Sequence, residues 1–348
     1  MYQHLLLGTF AQLKKLIYYK PGQLLASMSW NYNDPREYIR MVRKQEFPPL
    51  IISVAITGGV HGKEVNPSLP ETPEEQAKDA YECYKLGASI VHIHARDPAT
   101  GYANPSTNPA DYYKINKLIR EKCPDIIINN TTGGGLGLST EERMRSLEAN
   151  PEIASLNMGP LAWKTLLKKR DPPLTGRPND VLMDSVWPPT FSWRETELFA
   201  QRMLEKNIKP ELEVYNQGQF QLVYNLIDKG LIKPPYLIQF VMGAPSAVLP
   251  TPHNLLSMLY HVPLNSIVSV IGIGPFQLYL TTIAIAMGLH VRVGLEDNVY
   301  YRKGELAKSN AQLVERTVRI AKELNREIAT PTQARELLRL PEEPKRYN

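Results

Sequence analysis

His92 and His94 stand two residues apart in the apolar run Ala88-Ser89-Ile90-Val91-His92-Ile93-His94-Ala95. Side chains alternate faces along a strand, so this spacing sets both imidazoles on one side with Arg96 beyond them, while Val91, Ile93 and Ala95 pack the other way. Neutral imidazole is the commonest metal ligand, which makes a metal site the chemistry on offer here; two hydrogen-bonded core histidines are the plainer alternative. The run His290-Val291-Arg292-Val293-Gly294-Leu295-Glu296-Asp297-Asn298 alternates in the same manner. Val291, Val293 and Leu295 share one face, leaving His290, Arg292, Gly294 and Glu296 on the other, and Glu296 becomes a third candidate ligand. Two histidines and a carboxylate leave coordination positions open, as catalytic zinc sites do. Iron(II) uses the same ligand types.

Such residues need a scaffold that brings distant strands together. From residue 50 onward short β-like runs alternate with helical ones, the pattern of a parallel sheet built from βα units. Eight strands are predicted, at 51–57, 89–95, 125–132, 153–159, 211–215, 236–243, 266–274 and 290–297. Helices are expected between them, including 72–86, opened by Thr72-Pro73-Glu74-Glu75, and 310–324. Eight repeats imply an α/β fold, a single (β/α)8 TIM barrel over 49–348, preceded by an amino-terminal helix and extended arm at 1–48; a doubly wound open sheet is the competing architecture. In a barrel the active site lies at the carboxyl ends of the strands, and the first strand lies between the second and the eighth, so Glu296 would meet the histidines there. Other inward polar residues are Ser155, Asn157 and Gly159 on the fourth strand and Glu211, Glu213 and Tyr215 on the fifth. An inward carboxylate is costly without a partner. Asn129-Asn130-Thr131-Thr132 ends the third strand, and His61 in Gly58-Gly59-Val60-His61-Gly62 reaches toward the same mouth. The amides of Gly272 and Gly274 are expected to cradle a phosphate or carboxylate. Residues 161–189, rich in proline and carrying Trp163 and Trp187, read as an extended loop.

Bulk properties narrow the classes. The chain has 348 residues, 43% hydrophobic and 22% charged, an ordinary globular composition. A formal charge of +5 spread along the chain gives no basic stripe for nucleic acid. Only Cys83 and Cys123 are present, outside any CxxC spacing, which speaks against a disulfide framework and for a reducing cytoplasm. Residues 1 to about 19 form an amphipathic pattern broken by Gln12, Lys14 and Lys15, with no apolar run long enough for a membrane. No GxxxxGK[ST], GxSxG or GxGxxG motif occurs.

Read in chain order, Ala55-Ile56-Thr57-Gly58, Pro67-Ser68-Leu69-Pro70, Thr72-Pro73-Glu74-Glu75, His92-Ile93-His94 with Arg96-Asp97, Thr132-Gly133-Gly134, Ser155-Leu156-Asn157-Met158-Gly159, Pro210-Glu211-Leu212-Glu213 and Arg292 to Asn298 resemble the β-keto acid cleavage enzyme (BKACE) family. The resemblance covers roughly residues 50 to 340. It implies a zinc-dependent barrel that cleaves a β-keto acid with acetyl-CoA, yielding acetoacetate and a new acyl-CoA. It implies His92, His94 and Glu296 as zinc ligands, Arg292 and Asp297 as catalytic residues, Thr131 and Ser155 as hydroxyls for oxyanions or carboxylate, and Glu213, less directly Glu211, as the fifth-strand acid. Asp297 would be the base, and Arg292 would fork onto the substrate carboxylate. Relatives acting on amine-bearing keto acids carry an acid in the first loop where Val60 stands here, which points away from a cationic substrate. The family also implies a homo-oligomer, a tetramer. Two other functions compete: a metal-dependent hydrolase of the amidohydrolase type, which would need histidines on later strands, and a metal-stabilised ligand-binding barrel without turnover.

Overall fold

The computed structural model describes residues 30–135, 137–188 and 191–348; the amphipathic helix expected at 1–19 lies outside the described residues. Eight parallel strands close into a ring: β1 (Ile52–Ala55), β2 (Ile90–Ile93), β3 (Ile127–Asn130), β4 (Ile153–Asn157), β7 (Lys209–Val214), β8 (Tyr236–Met242), β9 (Ser266–Gly272) and β10 (His290–Val293). Around the ring run β1-β10-β9-β8-β7-β4-β3-β2, so β1 does lie between β2 and β10. This is the (β/α)8 TIM barrel. Helices α2 (Pro73–Leu86), α3 (Pro109–Lys122), α4 (Thr140–Met144), α5 (Trp193–Glu205), α6 (Phe220–Asp228), α7 (Pro252–Leu259), α8 (Gln277–Ala286), α9 (Asn310–Glu323) and α10 (Pro331–Leu338) follow α1 (Pro35–Lys44). None of the described helices is long and apolar enough to cross a membrane.

Local sequence explains the helix starts. Thr72 caps α2 by accepting from the Glu75 amide while Glu75 reaches back to the Thr72 amide, a capping box with Pro73 already fixed in helical φ. Ser309 caps α9. Asn310, the first residue of that helix, accepts from Leu295 N at 2.7 Å and donates to Ile56 O at 3.1 Å, so one carboxamide ties the turn before Glu296 to the end of β1.

Inside the ring the strand alternation produces storeys. Ile51, Ile90, Ile127, Ile153, Leu237 and Ile267 make an apolar floor, closed from below by Ala334, Leu337 and Leu338 of α10. Burying each such side chain contributes about 2 kcal/mol, and this floor supports the polar storeys above it. Outward residues such as Ile52, Val54, Val91, Ile93, Ile128, Leu212, Phe240 and Val291 pack against the helices.

Two expectations need correcting. The presumed loop at 161–189 holds an antiparallel hairpin, β5 (Leu161–Leu167) paired with β6 (Val181–Trp187) from Leu161↔Trp187 to Leu167↔Val181. Its far end is clamped to the loop after β1. Arg170 forks onto Glu71 at 2.7 and 2.8 Å and reaches Glu64 at 2.8 Å, with all three side chains buried. The extended arm expected ahead of the barrel, within 1–48, is not extended throughout, because α1 occupies Pro35–Lys44, capped by Asp34 with Pro35 in its first turn. Tyr38 Oη donates to Ala286 O at 3.3 Å and Tyr32 Oη to Ser266 O at 3.4 Å, which lays this segment against the barrel wall.

Candidate active site

The cavity at the carboxyl ends of the strands measures about 430 Å³. At its base, His92 Nε2 lies 3.7 Å and His94 Nε2 3.4 Å from Glu296 Oε1. Ligand atoms about 2.0–2.1 Å from one tetrahedral zinc are about 3.3 Å apart, so these three side chains fit around a single ion. Their surroundings fit it too. His94 Nδ1 lies 3.2 Å from Gly134 O, which makes Nδ1 the donor and leaves the Nε2 lone pair toward Glu296. Glu296 Oε2 is buried with no hydrogen-bond partner. Burial and the nearby Arg292 hold the His92 imidazole well below its usual pKa, in the neutral form that ligation requires.

Glu296 and Asp297 both reach the mouth because the chain turns sharply after β10. Gly294 has φ +140 and a Cβ there would lie 2.1 Å from Ala55 O, so a side chain is barred by the neighbouring strand. Its carbonyl accepts from Asp297 N at 3.2 Å and Asn298 N at 3.0 Å, closing the turn. Gly58 (φ +72) makes the matching approach on the β1 side, where a Cβ would meet Glu296 Cγ at 2.7 Å.

Arg292 is the hub of the charges. Its Nε and Nη2 donate to Asp297 Oδ2 and Oδ1, each at 2.9 Å, Nη2 also reaches Glu296 Oε1 at 2.6 Å, and Nη1 lies 3.5 Å from Glu213 Oε1. The expected fork from Arg292 to a substrate carboxylate is therefore occupied by Asp297. Three carboxylates, buried Glu213 and Asp297 and half-buried Glu296, face one guanidinium. Burial raises Asp297 to about 6 against the pull of Arg292, and it raises Glu213 as well. Burial also works to raise Glu296, but Arg292, His94 and His92 outweigh it and hold that carboxyl well below its usual range. A divalent cation beside Glu296 would supply the positive charge this cluster lacks.

The remaining candidates separate by depth. Glu213 lines the cavity, its Oε2 accepting from Asn157 Nδ2 at 2.7 Å and Tyr215 Oη at 3.1 Å. Thr131 lines it too, and Thr131 Oγ1 accepts from the amides of Gly133 and Gly134 at 2.9 and 3.3 Å, so its own proton is free to donate. Ser155 does not line it; Ser155 Oγ accepts from Thr132 N at 3.1 Å. Glu211 sits one storey lower, bonded to Asn129. The glycine cradle is absent in the form expected: Gly274 N donates to Asp297 O at 2.7 Å, and Gly272 packs on the backbone of Phe276. His61 lines the cavity, with Nε2 3.1 Å from Leu295 O. Sequence reading missed the wall formed by Trp163 and Trp187 of the hairpin, whose rings lie 6.4 Å apart.

The model of the β-keto acid cleavage enzymes matches residues 49–340 of this sequence. The chain belongs to the β-keto acid cleavage enzyme (BKACE) family. Among its relatives, the 3-keto-5-aminohexanoate cleavage enzyme of Fusobacterium nucleatum subsp. nucleatum is 39% identical over 84% of this chain and 98% of its own length. The 3-oxoadipate:acetyl-CoA acetyltransferase of Cupriavidus necator is 33% identical over 84% of this chain and 95% of its own. Among solved structures, ObcA in binary complex with oxaloacetate superposes with a TM-score of 0.61 over 79% of this chain and 68% of that one; at 19% identity the likeness bears on fold alone. This BKACE member thus carries the His92, His94 and Glu296 cluster and the Arg292–Asp297 pair at one barrel mouth.

Proposed function

We propose that this chain is a zinc-dependent enzyme that cleaves a β-keto acid with acetyl-CoA, giving acetoacetate and the CoA thioester of the remaining acyl group. The observation that carries this reading is the placement of a carboxyl–guanidinium pair, Asp297 with Arg292, directly beside the His92, His94 and Glu296 ligand set. A binding barrel needs no such pair. Later strands bring no histidine to the described cavity, which disfavours an amidohydrolase.

Zinc held by His92, His94 and Glu296 supplies Lewis acidity for the substrate ketone. Asp297, oriented by both of its bonds to Arg292, takes the proton from the carbon between ketone and carboxylate. The resulting carbanion attacks the acetyl carbonyl of acetyl-CoA and expels the CoA thiolate. That thiolate attacks the original ketone carbon; the bond to the former carbanion carbon breaks, and Asp297 returns its proton to yield acetoacetate. Glu213, held by Asn157 and Tyr215, keeps a second carboxylate beside Arg292. Thr131 Oγ offers its free proton to oxygen atoms that gain negative charge. Ser155 acts from below, through the Thr132 backbone.

Val60, Trp163, Trp187, Val241, Ala244, Ile271 and Ile273 make the outer wall of the cavity. Lys164 is its rim cation and is paired with Asp184 at 2.9 Å. We assign the substrate an uncharged, largely apolar side chain. Reaction of a straight-chain 3-oxo acid and of its ω-amino counterpart with acetyl-CoA, followed by mass spectrometry of the acyl-CoA formed, tests this. One buried unpaired ammonium costs several kcal/mol, so kcat/KM is expected to favour the uncharged acid by at least about 10²-fold. Preference for the amine would overturn the assignment. We place the reaction in a reducing cytoplasm, which suits the free, buried Cys83 and Cys123, and in a homo-oligomer, a tetramer by family resemblance.

A further inference from the structure

Glu211 has no part in the chemistry above, yet it is a carboxylate 1% exposed in the middle of the barrel. It lies one storey below Glu213 and does not touch the cavity. Burial pushes it up to about 7, against the pull of Arg292. A carboxyl buried in such a place calls for a physical reason, and its partners supply one.

Asn129 Nδ2 donates to Glu211 Oε2 at 2.7 Å. With its amide nitrogen toward Glu211, Gln239 donates to the two carboxylate oxygens at 2.9 and 2.7 Å. The Glu211 oxygen accepts from the Asn129 nitrogen, so Glu211 dictates which end of the Asn129 amide faces it. The nitrogen turns down to Glu211 and Oδ1 turns up. Asn129 is paired in register with His92 on the adjacent strand, which sets their two side chains next to each other inside the barrel. Oδ1 of Asn129 and Nδ1 of His92 are both buried, and neither has a hydrogen-bond partner. An oxygen on that side requires the His92 proton to sit on Nδ1, and the Nε2 lone pair is then the one aimed at Glu296. His94 obtains the same tautomer from the Gly134 carbonyl. The two ligands are held in one state by different props, one of backbone and one of side chains.

We propose that Glu211 and Asn129 are positioning residues of the metal site: Glu211 fixes the amide of Asn129, and Asn129 fixes the tautomer and ring orientation of His92. The inference rests on the assignment of His92, His94 and Glu296 as zinc ligands. Partners of this kind are worth 10- to 100-fold in metal affinity, roughly, when removed.

Zinc affinity measured by competition with a chromophoric chelator, on protein checked for folding by the thermal unfolding of its metal-free form, tests the proposal without recourse to turnover. Asn129→Leu keeps the bulk and removes the acceptor; its zinc Kd is expected to rise about 10- to 100-fold. The double variant Asn129→Asp/Glu211→Gln reverses the polarity of the pair. The carboxylate it introduces on β3 would accept from both the new carboxamide on β7 and His92 Nδ1, so the Kd is expected to return to the wild-type value or below it. A purely packing role for Asn129 predicts lost stability with no such rescue. If Asn129→Leu does not fold, Asn129→Ser takes its place in the same comparison, with a hydroxyl too short to span both partners. Wild-type affinity in the single variant, or a double variant as weak as the single one, overturns the inference. A wild-type protein that binds no zinc overturns the ligand assignment with it.

Discussion

Asp297→Asn is expected to lower kcat by about 10²- to 10⁴-fold while zinc content and KM stay near their wild-type values. Asparagine matches the shape of aspartate and can still accept one bond from Arg292, but it cannot take a proton. The loss should therefore fall on the chemical step. A pH profile gives the sign independently. Burial raises the Asp297 carboxyl to about 6, and a base works only when ionised, so kcat/KM of the wild type should rise with pH and level off once that group is charged. In deuterium oxide without acetyl-CoA, the wild type should exchange the hydrogens between ketone and carboxylate faster than the solvent background, and Asp297→Asn should not. Unchanged kcat in the variant, or exchange at the wild-type rate, would move the base elsewhere in the cavity, with Glu213 the next carboxylate in line.

Removal of one ligand should be at least as damaging. With His94→Ala, the cluster retains His92 and Glu296, the Gly134 carbonyl loses its partner, and three carboxylates again face Arg292 alone. Zinc per chain, measured by atomic emission after dialysis, is expected to fall from near one to near zero. Activity should fall by about 10³-fold or more, since Lewis-acid stabilisation is worth several kcal/mol. A strong chelator should do the same to the wild type, and added zinc should restore the wild type but not the variant. Full zinc occupancy with normal turnover in His94→Ala would show that the ion is held by other groups.

Which parts of this site are legible in the sequence follows from the periodicities involved. The eight barrel strands are recognisable because apolar runs recur between helical segments, and the alternation within 88–95 and 290–296 sets His92, His94, Arg292 and Glu296 on the inner faces. Asp297 is not legible by that rule. Strict alternation sends Asp297 outward, opposite to Glu296, and only the sharp turn at Gly294 (φ +140) brings both into the mouth; family resemblance is what singles it out. The hairpin of β5 and β6 is hidden by the prolines between its strands, although Trp163, Thr165 and Leu167 alternate with the more exposed Ala162, Lys164 and Leu166. Helix α1 is hidden for a related reason. Pro35 reads as a breaker, whereas after the capping Asp34 it is a starter. Gly272 and Gly274 invite overreading, since a glycine pair marks backbone approach without saying what approaches; here it is Phe276 and the Asp297 carbonyl.

The proposed reaction exchanges the partners of particular carbon atoms, and an isotope label follows them. The purified protein should be incubated with a straight-chain 3-oxo acid and acetyl-CoA carrying carbon-13 at the acetyl carbonyl, and the products analysed by NMR and mass spectrometry. The account predicts acetoacetate labelled at its ketone carbon, with the carboxylate and methylene carbons drawn from the unlabelled keto acid, together with an unlabelled new acyl-CoA in equal amount. Unlabelled acetoacetate, hydrolysis of either substrate alone, or no acetoacetate from zinc-loaded protein across a broad set of β-keto acids would contradict it.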